Sequence, residues 1–128
     1  MFWQKKILTE PDYVSVDVFD VDAARQWYSE KLGLKYSSTN VEDAEADMVL
    51  GYSEKEPRVY LCRIAGSARP DVVPGHPQIL MTTRLADAHE FLSSNGVDTD
   101  PPQSDSGGNQ FFRFRDLEGN ELEVCQHS

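Results

Sequence analysis

The chain has 128 residues, with 12 Lys and Arg against 22 Asp and Glu, for a formal net charge of −10 at pH 7. That length suits one domain spanning 1–128 with a single core, and the negative balance argues against nucleic acid and anionic membranes as partners. No apolar run of signal-peptide length follows Met1, and none approaches a membrane span.

Residues 1–10 are ambiguous, an arm or an extra edge strand. Tyr13-Val-Ser-Val-Asp-Val-Phe19 alternates as a strand, with Val14, Val16 and Val18 on one face and Tyr13, Ser15 and Asp17 on the other. The stretch 20–33 reads as an amphipathic helix. Asp20 suits its N-cap, Asp22 its first turn and Gly33 its stop, and Val21, Ala24, Tyr28 and Leu32 form the buried stripe. Residues 34–39 and 46–52 read as strands around an acidic turn at 40–45. After a hairpin loop at 53–57 comes a strand over 58–64, in which Tyr60 and Cys62 share a face. Residues 65–77 collect Gly66, Pro70, Pro74 and Gly75 and read as a linker.

The pattern then restarts. Residues 78–83 read as a strand, with Gln78, Leu80 and Thr82 on one face. A helix is expected over 85–95, its stripe Leu85, Ala88, Phe91 and Leu92 and its stop Gly96. Residues 98–108 read as a Pro/Ser/Gly-rich loop. The chain closes on two alternating runs around Asp116-Leu-Glu-Gly-Asn120, a tight reversal needing left-handed backbone. Arg113 goes with Phe111 on the first strand. On the second, Leu122 and Val124 oppose Glu121, Glu123 and Cys125. The two cysteines, Cys62 and Cys125, lack metal-type spacing, so the expected setting is a reducing cytoplasm with each thiol buried.

A strand, an Asp-capped helix ending Trp27-Tyr28 … Leu32-Gly33, and a closing Asp116-x-x-Gly-Asn-x-x-Glu123 hairpin resemble the vicinal oxygen chelate superfamily, which takes in glyoxalase I, bleomycin-resistance proteins and extradiol dioxygenases. The resemblance implies an α+β fold of two βαβββ modules, about 11–64 and 78–126. Their curved mixed sheets would form a cup with the helices outside. It also implies four metal-ligand positions, one on each of four strands, usually His or Glu and occasionally Gln. They fall on Tyr13, on Tyr60 within one residue, on Pro77 or Gln78, and on Glu123; His76 is an alternative for the third.

Neutral tyrosine, with a pKa of about 10, is a poor metal ligand. The expectation is therefore no cofactor, with a divalent metal held by Glu123 and Gln78 or His76 as the rival. A metal-independent small-molecule binder is expected, akin to bleomycin-resistance proteins, dimeric and conferring antibiotic resistance by sequestration. Bleomycin itself is not the expected ligand, because Gly107-Gly-Asn-Gln-Phe-Phe112 replaces the Trp-Gly-x-Arg-Glu-Phe run of many such proteins. The cup would be lined by Tyr13, Ser15, Asp17, Tyr60, Cys62, Gln78, Leu80, Arg113 and Glu123 and would take a flat aromatic or cationic ligand. An unpaired Glu123 would recognise the positive charge, unless Arg113 already pairs with it. The alternative is a metal-dependent lyase, isomerase or dioxygenase using Glu123 as ligand or general base.

Overall fold

The computed structural model of the chain describes residues 13–34, 36–38, 47–51, 58–64 and 78–126. The arm 1–10, the turn 40–45, the loop 53–57 and the linker 65–77, with His76 and Pro77, lie outside the described residues.

Strand β1 (Tyr13–Val18) leads into helix α1 (Val21–Leu32). The Asp20 carboxylate accepts the Ala23 N–H at 3.0 Å, and Gly33 ends the helix in the left-handed region. Strands β2 (Tyr36–Ser38), β3 (Met48–Gly51) and β4 (Arg58–Arg63) complete a sheet of order β1-β4-β3-β2. β1 runs parallel to β4, and the other two pairs are antiparallel.

The second half repeats that wiring. Strand β5 (Gln78–Met81), helix α2 (Leu85–Ser94), β6 (Asp98–Thr99), β7 (Gln103–Ser104), β8 (Gln110–Arg115) and β9 (Glu121–Gln126) form a sheet of order β5-β9-β8-β6, with β7 also on β8. β5 and β9 are parallel, as β1 and β4 are. The stretch expected as a loop at 98–108 thus contains two short strands. Both pair with β8, where the first module has the single strand β2. Pro101 and Pro102 stand between them, and proline cannot donate to a ladder.

α2 begins at Arg84 with no side-chain cap; the Gln126 amide oxygen accepts the Leu85 N–H at 2.8 Å instead. Its end is a Schellman turn. Val97 N–H donates to the Leu92 carbonyl at 3.0 Å and Gly96 N–H to Ser93 at 3.1 Å, with Gly96 at φ 79°.

Both helices pack on the same side of the strands. α1 lies on β3 and β4, and α2 on β6, β8 and β9. One buried cluster runs through both modules, from Val14, Val16 and Tyr28 to Phe112, Phe114, Leu122 and Val124. Trp27 of α1 stacks on Phe114 of β8 at 6.5 Å between ring centroids. None of the described helices is long and apolar enough to cross a membrane.

The β8–β9 hairpin is the polar clasp between modules. Its loop 117–119 closes with Gly119 at φ 83°, a conformation strained for residues with a Cβ. Asp116 Oδ1 accepts the backbone N–H groups of Glu118 and Asn120, both at 2.9 Å. Its Oδ2 accepts the Tyr28 hydroxyl at 2.7 Å and the Asn120 amide at 3.0 Å. The Glu118 carboxylate accepts the N–H groups of Phe19 and Asp20. The Asn120 amide also donates to the Asp17 carbonyl, and the Gln78 amide oxygen accepts Ser15 N–H at 3.3 Å. Side chains from the second module thus satisfy β1 backbone groups, which would otherwise form an open strand edge.

Candidate ligand-binding face

Strand alternation sends one set of side chains into the core and leaves the other on the face away from the helices. In the first module that open face carries Ser15 and Asp17 of β1, exposed, beside Tyr60 and Cys62 of β4, half-buried. Ser15 registers against Tyr60 and Asp17 against Cys62. Tyr13 opens β1 in register with Arg58. In the second module the open face carries Phe111 opposite Cys125, Arg113 opposite Glu123 and Arg115 opposite Glu121. From β5, Ile79 registers against Glu123 and Met81 against Cys125.

The charged groups of β8 and β9 form a continuous ladder. Arg113 Nε donates to Glu123 Oε1 at 3.3 Å and its Nη1 to Glu121 Oε1 at 3.4 Å. Glu121 Oε2 in turn accepts from Arg115 Nη2 at 3.0 Å. Arg115 grips Asp100 with both terminal nitrogens, at 2.8 and 3.1 Å, and passes 3.9 Å from Asp98. The Arg115 hydrogen bond holds the Asp100 carboxyl below its ordinary pKa, and Asp100 holds the Arg115 guanidinium above its own. The expectation of an unpaired Glu123 is corrected here. A three-residue hairpin loop puts Arg113 directly across the ladder from it, so its charge is balanced within the chain.

The two thiols are half-buried on the open face, less enclosed than expected. Burial, then the charges of Asp17 and Asp47, push the Cys62 thiol up. Burial, then Glu123 and Asp105, do the same to Cys125. A raised pKa leaves little thiolate at neutral pH, so neither is set up as a nucleophile.

One predicted lining residue belongs elsewhere, and a second sits at the seam between the modules. Leu80 is 2 % exposed and packs within the core, in register with Val124. Gln78 registers against Leu122, on the parity of Leu80; it is nonetheless exposed, at the seam with β1, where its amide oxygen accepts the Ser15 N–H. The β5 residues on the open face are Ile79 and Met81, which the sequence reading missed. Residues 79–81 are apolar on both parities, so alternation offered no contrast between the faces. The bridging roles of Glu121, Arg115 and Asp100 were missed as well, although counting outward from the hairpin loop pairs 115 with 121.

Two of the residues that would hold a metal of the kind the fold resemblance implies are engaged within the chain. Glu123 is held by Arg113, and Gln78 is turned to the opposite parity and hydrogen-bonded to β1. No group of three or more His, Cys, Asp and Glu placed to hold a metal occurs among the described residues, and His76 is not one of them.

The profile of one protein family, the Glyoxalase/Bleomycin resistance protein/Dioxygenase superfamily, matches residues 10–124. The chain belongs to that superfamily. No curated protein matches it. Solved structures of the superfamily fold do. A superfamily member from Sphaerobacter thermophilus DSM 20745 superposes with a TM-score of 0.70 at 20% identity, over 94% of this chain and 98% of that one. TioX from Micromonospora sp. ML1 gives 0.62 at 20% identity, over 91% and 94%. Lactoylglutathione lyase from Agrobacterium tumefaciens gives 0.60 at 15% identity, over 89% and 90%. At these identities the likeness is one of fold. The glyoxalase-superfamily architecture expected from sequence, α+β with helices on the outside of paired modules, is the one observed.

Proposed function

We propose that this protein is a metal-independent small-molecule binder of the glyoxalase/bleomycin-resistance superfamily that holds a flat, aromatic ligand against its open face. The observation that carries the reading is the Arg113–Glu123 ion pair. The carboxylate at the superfamily's fourth ligand position already has a cation beside it, supplied by the chain. Beside the pair stand groups suited to an organic ligand: Ile79, which is 46 % exposed, and half-buried Phe111. The reading includes sequestration of an antibiotic-like compound in the cytoplasm, where free thiols persist. It also includes a homodimer, because exposed Phe19 and Leu117 and the outer sheet edges call for cover. A charge-bearing ligand is not required, since the premise of an unpaired Glu123 no longer holds.

Two measurements test this. Elemental analysis of purified protein is expected to find no stoichiometric Zn, Ni, Mn or Fe. About one metal per chain, lost on Glu123→Ala, overturns the reading in favour of a metal-dependent lyase, isomerase or dioxygenase. Light scattering is expected to give a dimer; a monomer at tens of micromolar protein removes that part.

A further inference from the structure

Arg113 carries five N–H donors in a planar fork. Nε is directed at Glu123 and Nη1 at Glu121, while among the described residues Nη2 donates to no carboxylate. Glu123 likewise uses Oε1 for Arg113, and among the described residues its Oε2 accepts no hydrogen bond. The two side chains retain 30% and 13% of their exposure. Arg113 is also braced, because Glu121 is fixed by Arg115 and Arg115 by Asp100. A guanidinium already restrained has little freedom to lose when a ligand arrives. Ile79 flanks Glu123 from β5, and Phe111 lies two residues along β8 from Arg113 on the same face.

The open face therefore presents a donor edge and an acceptor edge side by side, of opposite charge, bordered by apolar surface. A cation at Glu123 meets the Arg113 charge, and an anion at Arg113 meets Glu121 and Glu123. Either ion also covers the free Nη2 edge or the free Oε2 of the other residue without supplying it a partner. A neutral planar group bearing an acceptor beside a donor satisfies both halves.

We infer that this face binds a net-neutral planar molecule whose amide-type edge accepts from Arg113 and donates to Glu123, with its apolar body on Ile79 and Phe111. The inference rests on the small-molecule-binding reading and narrows it.

Benzamide, benzamidinium and benzoate share one shape and differ in charge. Ligand-observed NMR titrations of the three against the full chain test the inference, with Arg113→Met and Glu123→Gln alongside and circular dichroism confirming their folds. Benzamide is expected to bind the wild type about tenfold more tightly than either ion, the value of one mismatched charged hydrogen bond. Arg113→Met is expected to move the preference to benzamidinium, and Glu123→Gln to benzoate. A wild-type preference for either ion, or a ranking unchanged in both folded variants, overturns the inference and leaves small-molecule binding standing. No binding of any of the three at millimolar concentration removes the binding reading and the inference together. The wild-type ranking decides by itself should either substitution disturb folding.

Discussion

The Tyr28 hydroxyl donates to Asp116 Oδ2 at 2.7 Å across 88 residues of chain, joining the helix of one module to the closing hairpin of the other. Tyr28 is fully buried and Asp116 is 7 % exposed. The bond is asymmetric in consequence. Tyr28→Phe removes one donor and leaves Oδ2 still accepting from Asn120, so it is expected to cost about 1–2 kcal/mol. Asp116→Ala strips the acceptor from Tyr28, from the Asn120 amide and from two backbone N–H groups, and is expected to cost ~3 kcal/mol or more. Urea denaturation of the two variants reads the difference directly.

The same bond sets an alkaline limit. Burial, then the Asp116 charge, raise the Tyr28 pKa well above its ordinary value. A group whose folded pKa is raised contributes stability that is complete below the unfolded pKa of about 10 and declines as pH rises above it. Wild type is therefore expected to lose stability above about pH 10 more steeply than Tyr28→Phe. Equal slopes in urea melts across that range would contradict it.

Cys62 and Cys125 are expected to alkylate slowly with iodoacetamide at pH 7, with rates that keep climbing beyond the ordinary thiol pKa of about 8.5. The Asp17→Asn substitution should accelerate Cys62 at a given pH, because Asp17 contributes to its shift. Mass-spectrometric rates resolved by site check both statements.

Adjacent residues of β5 should behave oppositely. Leu80→Ala opens a cavity in the core and is expected to cost about 2–5 kcal/mol. Ile79→Ala, on the open face, should leave stability within about 1 kcal/mol and weaken binding of any ligand that lies over Glu123. Thermal melts with and without ligand separate the two effects.

Local chemistry made much of this legible beforehand. The Asp20 cap, the Val21–Ala24–Tyr28–Leu32 stripe and the two faces of β9 all follow from spacing, because each depends on residues a few positions apart. Alternation failed at β5, where Ile79, Leu80 and Met81 are apolar together and periodicity has nothing to contrast. Grouping Gln78 with Leu80 and Thr82 agrees with the register, but alternation did not say which face of β5 is the open one. The Tyr28–Asp116 bond and the Gln78 link to Ser15 stayed invisible for another reason. They join distant segments, and which polar groups meet across a core is decided by tertiary packing.

β9 divides its labour residue by residue. Leu122 and Val124 hold the core while Glu123 and Cys125 look the other way, and the hairpin clasp reaches toward α1 and β1. Substitutions at 111, 113, 123 and 125 therefore touch neither the shared core nor the clasp. On the proposed reading, recognition can drift while the scaffold stays put, much as a lock can be rekeyed without rebuilding the door. A library randomised at those four positions should consist mostly of well-folded proteins, each with a changed appetite for ligands.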